Sequence, residues 1–349
     1  MTTDFGGGGE IGFERNGLAG IVTLSRPASL NAVTHGMVLA LERALDAWRD
    51  DEGVDLVIIR ADGRAFSAGG DVVDIYRAGK AGNPPVQFFA DEYRLNAKIA
   101  AYPKPYVALI DGIAMGGGVG VSYHGSHRVV TENAVFAMPE VGIGFFPDVG
   151  GSHILPRLKG AIGMYLALTG ARIRWGDQLW SGLATHAVES SRLPLLTQEL
   201  SRTGNPRQAL HAHAVRPEHQ IDEARVFAIN KHFSLGSLDA VIASLEADAA
   251  GDTFVAETLA ALRAKSPTSL RVAFDQIEAG AVLEMDECMR MEFRILNRML
   301  ASHDFYEGIR AVVIDKDNAP AWRPASLDEV DPAAIAAHFA PLPEGELRL

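Results

Sequence analysis

Short apolar runs punctuated by turn residues fill the first half of the chain. Ile11 to Glu14 and Gly20 to Ser25 flank Arg15-Asn16-Gly17 and predict an opening hairpin. After Arg26-Pro27, Thr34 can cap a helix that carries Met37, Leu41, Ala44, Leu45 and Trp48 on one face. Val54 to Arg60 is nearly continuous in apolar residues, the pattern of a strand covered on both faces. A helix over Ala90 to Ala100, a buried strand over Pro105 to Ile110, a glycine-started helix over Gly117 to Gly125 and a strand over Val135 to Ala137 follow. Beyond about Val188 the β-prone runs stop, and Ser190 to His219 reads as a polar, proline-bearing stretch of turns. The remainder is helical; Met285, Met289, Phe293, Leu296 and Leu300 form one stripe at intervals of three and four, assigned to core packing. The expected class is α/β, divided into a flexible leader (1–10), a core that carries the active site (11–200) and a C-terminal helical region (201–349).

Composition narrows the function classes. With 349 residues, 48% hydrophobic and 22% charged, the chain can bury a large core. A formal charge of -12 works against nucleic acid or an anionic membrane as partner, so an anionic ligand must be held by local groups. The single cysteine, Cys288, rules out an intramolecular disulfide and fits a reducing compartment. Met1 to Glu10 has neither signal-peptide nor transit-peptide character, and no stretch approaches the roughly 20 apolar residues of a membrane span, so a soluble cytoplasmic protein is expected.

Several signals carry little. Gly7, Gly9 and Gly12 satisfy G-x-G-x-x-G, but no strand precedes them and no capped helix follows. His211, His213 and His219 lack the cysteine or carboxylate partners of a metal set, and no metal is expected. His124 and His127 fall on the predicted glycine-started helix, in a structural role; Ser122 lacks the G-x-S-x-G elbow. Two glycine-rich turns are harder to dismiss, because each follows a predicted buried strand: Phe66-Ser67-Ala68-Gly69-Gly70-Asp71 and Asp111-Gly112-Ile113-Ala114-Met115-Gly116-Gly117-Gly118. Glycine allows close backbone approach, and one N–H from each turn can complete an oxyanion hole.

With these turns, Ser25-Arg26-Pro27, Leu30-Asn31-Ala32 and Met138-Pro139-Glu140-Val141-Gly142 make the chain resemble the crotonase (enoyl-CoA hydratase/isomerase) superfamily. The resemblance implies a spiral of ββα units with a C-terminal helical region. It also implies an acyl-CoA substrate whose thioester oxygen lies between the N–H groups of Gly70 and Gly117, near Ala68. Coenzyme A would lie bent near Leu30 to Ala32, with Arg26 the candidate cation for its phosphates.

Hydratases of the superfamily use two glutamates, and here the first position is Gly120. Phe145-Phe146-Pro147-Asp148-Val149-Gly150-Gly151 instead puts a carboxylate where hydratases carry glycine. That substitution, with Asp91 to Asn96, Ser266 to Leu270, His303 to Arg310 and Ile314 to Asp317, resembles the 3-hydroxyisobutyryl-CoA hydrolase subfamily over Ile11 to about Pro324. The resemblance implies hydrolysis of a short branched 3-hydroxyacyl-CoA, a step of valine breakdown. Glu140 and Asp148 would be catalytic, and Glu92 would line the pocket. Glu140 would activate water or attack the carbonyl itself, and Asp148 would orient the β-hydroxyl or share proton transfer. No cofactor is implied beyond the coenzyme A of the substrate. A homo-oligomer stays open, since crotonases form trimers through C-terminal helices whereas this longer C-terminus could cover its own site. An enoyl-CoA hydratase or isomerase is the nearest rival reading, and a non-catalytic acyl-CoA-binding protein the next.

Overall fold

The computed structural model describes residues 4–343 and 345–349. The chain folds into two compact units, each discontinuous in sequence. The first comprises the residues up to Asp71, Asp91–Phe136 and Arg172–Gln220; the second comprises Val72–Ala90, Ala137–Ala171 and Ile221–Leu349.

The strands are, in chain order, β1 (Ile11–Asn16), β2 (Ala19–Leu24), β3 (Leu56–Ala61), β4 (Ala65–Ser67), β5 (Tyr106–Ile110), β6 (Ile113–Met115), β7 (His127–Val130), β8 (Val135–Ala137), β9 (Ile173–Arg174) and β10 (His186–Ala187). They form a six-stranded sheet, β1-β2-β3-β5-β7-β10, and a four-stranded sheet, β4-β6-β8-β9. The expected opening hairpin is the antiparallel β1–β2 pair, and from β2 onward the larger sheet is parallel.

Alternation along these strands sorts the core of the first unit. Ala19, Ile21, Leu56, Ile58, Val107, Leu109 and Val129 meet Leu196 and Leu200 of the helix Leu193–Thr203 and Leu210 of the helix Pro206–His213. Each fully buried side chain of this size contributes about 1.5–3 kcal/mol relative to exposure. Gly20, out of phase with Ala19 and Ile21, lies under Trp48 of the helix His35–Arg49; a Cβ there would stand 2.6 Å from the indole. Thr34 caps this helix as expected, its hydroxyl accepting from Met37 N at 3.2 Å.

Two expectations need correction. Ser190 to His219 is not a run of turns, because it holds the helices Leu193–Thr203 and Pro206–His213. Pro194 and Pro206 sit in the first helical turns, where no backbone N–H is needed, and Asn205 caps the second helix. The helix predicted over Gly117 to Gly125 covers only Gly117–Gly120. Four of its nine residues are glycine, each costing about 1 kcal/mol in a helix interior, and the Ser122 hydroxyl bonds back to Gly118 O at 2.6 Å. His124 therefore lies in a turn and His127 opens β7.

The second unit is largely helical. The helix Met285–Met299 buries Met289, Phe293 and Leu296 as its stripe demands, with Leu300 buried just beyond its end and Met285 half-buried. No helix among the described residues is long and apolar enough to cross a membrane.

Candidate active site

In the first unit the two glycine turns lie at the C-terminal ends of β4 and β6. The loop before the helix His35–Arg49 is laced to the first turn. Ala68 N donates to Leu30 O at 2.9 Å, Val33 N to Gly69 O at 2.8 Å, and Val33 bridges Gly70 in parallel. Leu30 and Asn31 both have left-handed backbone (φ 50° and 55°), and the buried Asn31 side chain holds that bend. Its Oδ1 accepts from Arg26 N at 2.7 Å, while Nδ2 donates to Asp62 O and Ala65 O, each at 2.8 Å. Arg26 braces the same loop, donating to Ala32 O at 2.6 Å and pairing with Glu10 and Asp71 at 3.0 and 3.2 Å. The candidate phosphate ligand thus already serves three protein partners.

The second turn reaches the first at Gly117. A Cβ on Gly117 would stand 2.7 Å from Glu92 Oε1 and 3.3 Å from Gly70 N, so only glycine lets these three groups approach. Gly118 is equally constrained, a Cβ there falling 2.5 Å from Ser67 O. Glu92, on the helix Val86–Ala100, is only 2% exposed rather than solvated. Ala68 and Leu30 lie half-buried on the same loop pair.

The second unit carries the remaining candidates on irregular backbone. Glu140 opens a 3₁₀ turn, Glu140–Ile143, which left-handed Gly144 ends (φ 70°); Phe145 N returns to Glu140 O at 3.0 Å. Phe145 packs among Phe89, Phe146 and Phe305. The chain then turns through Asp148, with Val149 and Gly150 both left-handed (φ 48° and 86°) and Gly151 N donating to Asp148 O at 2.8 Å. Glu140 and Asp148 are 6% and 4% exposed. Glu140 Oε2 is buried and has no hydrogen-bond partner among the described residues. Burial pushes the Glu140 carboxyl well above the usual range, and the Asp148 charge adds to the shift.

Sequence reasoning missed what holds this turn. Glu292, on the helix Met285–Met299 and fully buried, accepts from Gly150 N at 2.8 Å, Ser152 N at 3.0 Å and the Ser152 hydroxyl at 2.5 Å. Gln276 donates to Pro147 O. The signal was present, because Glu292 stands within the apolar stripe, three residues after Met289 and four before Leu296. An acid in a buried stripe needs partners. At the hydratase-glutamate position, Gly120 is buried and supplies no carboxylate. No group of three potential metal ligands is assembled among the described residues.

Comparison with known proteins places this arrangement. A family profile described as Enoyl-CoA hydratase/isomerase matches residues 19–339. The 3-hydroxyisobutyryl-CoA hydrolase, mitochondrial, of Danio rerio is 44% identical over 98% of this chain and 92% of its own length. Its Homo sapiens counterpart is 42% identical over 97% and 90%. Among solved structures, one described as a carnitinyl-CoA dehydratase from Mycobacterium thermoresistibile matches with a TM-score of 0.91 and 41% identity, over 97% of this chain and 98% of that one. Another, described as an enoyl-CoA hydratase from Rhodobacter sphaeroides 2.4.1, matches with a TM-score of 0.90 and 39% identity, over 97% and 100%. The expected fold is therefore the observed one, and the chain belongs to the enoyl-CoA hydratase/isomerase, or crotonase, superfamily, among relatives of the 3-hydroxyisobutyryl-CoA hydrolases.

Proposed function

We propose that this protein hydrolyses a short branched 3-hydroxyacyl-CoA, with 3-hydroxyisobutyryl-CoA the leading substrate, to the free hydroxy acid and coenzyme A. A thioester carbonyl under attack becomes an oxyanion, and fixed N–H donors stabilise that charge as it develops. Gly70 and Gly117 are assigned this task. Glu140 activates the attacking water, or adds to the carbonyl and expels coenzyme A as its thiolate, which takes up a proton, leaving a mixed anhydride that water opens to the acid and free Glu140. Asp148 orients the β-hydroxyl or shares the proton transfer, and Glu92 lines the acyl pocket. Thioester hydrolysis is not a redox step, and the proposed acid–base route uses no cofactor beyond the coenzyme A of the substrate. A cytoplasmic location remains part of the proposal; the curated relatives carry the word mitochondrial in their names.

The observation that carries this reading is Glu140 Oε2, a buried carboxylate oxygen without a hydrogen-bond partner among the described residues, on a group whose proton affinity burial and Asp148 both raise. A buried carboxyl whose proton affinity is raised in this way is suited to acid–base work on a bound substrate. The names of the two solved relatives favour a second reading, enoyl-CoA hydration or the reverse dehydration. Gly120 stands against it, because a positioned acid or base contributes roughly 10²- to 10⁴-fold to rate. Thiol release from 3-hydroxyisobutyryl-CoA, measured beside hydration of crotonyl-CoA, tests the choice. Hydrolysis should dominate; efficient hydration without thiol release would move the protein to the second reading.

A further inference from the structure

Asp148 stands on backbone that ordinary preferences oppose. Val149 is β-branched yet left-handed, and with Gly150 also left-handed the turn has no regular ladder to fix it. At Val149 this conformation costs about 1–3 kcal/mol and persists only where the surroundings impose it, whereas Gly150 adopts it freely. Here the surroundings include one side chain from 140 residues further along the chain. Glu292 Oε2 takes the Gly150 N–H, and Oε1 takes both the N–H and the hydroxyl of Ser152. Both donor backbone groups lie within four residues of Asp148, one on each side of Gly151.

We propose that Glu292 is a positioning residue for the hydrolysis, a carboxyl clamp that fixes the Pro147–Ser152 turn and so aims Asp148 at the acyl group. The inference rests on the reading of Asp148 as a group that acts on substrate. Glu292 does not touch substrate in this role; it works through the turn. Three features of the clamp fit the task. Its bonds reach two backbone N–H groups, so they set the path of the chain rather than one rotamer. It is fully buried, so water cannot replace a lost bond at little cost. Its residue type also matters: a carboxyl presents two acceptor oxygens to donors on both arms of the turn, whereas a carboxamide must turn its NH₂ towards one of them.

The groups facing Glu292 are Asp148 and Glu140 from the turn segment and Cys288 from its own helix, the thiol lying near Arg157 and Glu287 as well. Burial pushes Glu292 up to about 8 and Cys288 up to about 11. The three donors on Gly150 and Ser152 oppose that shift, because they favour the ionised carboxylate that accepts all of them.

The test compares Glu292→Gln, Ser152→Ala and Asp148→Asn, each with matched melting curves and with kcat and KM for 3-hydroxyisobutyryl-CoA. Misplacing a reacting group by about 1 Å can cost about 10²-fold, so Glu292→Gln should lower kcat by one to two orders of magnitude with KM within about twofold. Ser152→Ala removes only the hydroxyl contact, and should lower kcat less while folding normally. It reports on the clamp if Glu292→Gln fails to fold. In the Asp148→Asn background Glu292→Gln should cost little more, because both act through one carboxylate. If both clamp variants keep wild-type kcat and KM and only melt earlier, or if their losses simply add to that of Asp148→Asn, Glu292 is structural and the inference fails. A wild type that releases no thiol would instead overturn the proposed function, and this role with it.

Discussion

The glycine turns of the first unit and the Glu140–Ser152 segment of the second are both irregular backbone at candidate chemistry, but they are secured in opposite ways. The glycine turns are secured mainly by their own glycines, with the first also tied to the loop from Leu30 to Val33. Their N–H groups follow strands β4 and β6, and their shape comes from residues that lack a Cβ, so a side chain at Gly117 or Gly118 would collide with Glu92 or Ser67. The carboxylate segment is secured from a distance. Glu292 and Gln276, more than 120 residues further along the chain, hold Gly150, Ser152 and Pro147. Backbone donors need only a turn, whereas carboxylates need a turn, a low-dielectric surrounding and a fixed charge pattern. The second set of demands cannot be met by neighbours in sequence alone.

The largest effects should come from the carboxylates themselves. Glu140→Gln and Asp148→Asn are near-isosteric, and each should cut kcat by at least about 10²-fold while substrate still binds, as expected for groups that act chiefly in the transition state. Single-turnover thiol release with parallel binding titrations checks this. Retained kcat in Asp148→Asn would leave Asp148 a structural residue, and the distant clamp on its turn would then serve stability alone.

Gly117→Ala probes the other side. The added methyl would have to displace the Glu92 carboxylate, 2.7 Å away, and crowd Gly70 N at 3.3 Å, so both candidate oxyanion donors shift. Loss of one such donor costs about 10²- to 10³-fold in the best-studied case, and a partial shift should cost about tenfold or more in kcat. A variant with unchanged kcat would show that the thioester oxygen is held elsewhere.

This contrast also explains how far the sequence could be read. The opening hairpin, the Thr34 cap, the buried strands and the stripe from Met289 to Leu300 are local patterns, and the structure has them close to where periodicity placed them. The misread stretch at Ser190 to His219 failed on proline, which breaks a helix interior but suits the first turn that Pro194 and Pro206 occupy. The site candidates were legible through motif resemblance. Their supports were only half legible: an acid at Glu292 inside the apolar stripe signals a buried carboxyl that needs partners, but not that those partners are Gly150 and Ser152. The motif around His303 to Asp317 shows the converse. Arg310 spends its guanidinium on Glu307, Asp315 and Asp317, and Asp304 accepts from Ser266 and Arg323 N, so much of that conspicuous pattern serves architecture.

The pH dependence of stability reports on the same buried carboxyl. The buried Glu292 carboxyl ionises at about 8 in the folded protein and near the ordinary value of 4.5 when exposed, and Glu140 is shifted in the same direction. Between those values the folded state holds more protons than the unfolded state. The contribution is therefore fully present below pH 4.5 and lost as pH rises through about 8. Denaturant midpoints at pH 5.5 and pH 8 should differ less in Glu292→Gln than in wild type. An unchanged difference would mean that Glu292 titrates normally in the folded chain.

The smallest effect concerns the strained residue beside Asp148. Val149 is 1% exposed, so truncation loses apolar burial of about 1.5–3 kcal/mol, yet its left-handed backbone costs about 1–2 kcal/mol that glycine would not incur. Val149→Ala loses the burial and keeps the backbone penalty, since a Cβ remains. Val149→Gly loses slightly more burial but escapes the penalty, at the expense of a more flexible unfolded chain. The two corrections nearly offset each other, so Val149→Gly should melt within a few degrees of Val149→Ala or above it, against the usual order in which glycine is clearly the worse replacement. The same pair separates strain from clamping in the kinetics. If the Glu292 bonds alone aim Asp148, both variants should keep kcat within a few fold of wild type. If Val149→Ala keeps kcat and Val149→Gly loses most of it, the backbone restriction of residue 149 itself, rather than the distant carboxyl, fixes the turn.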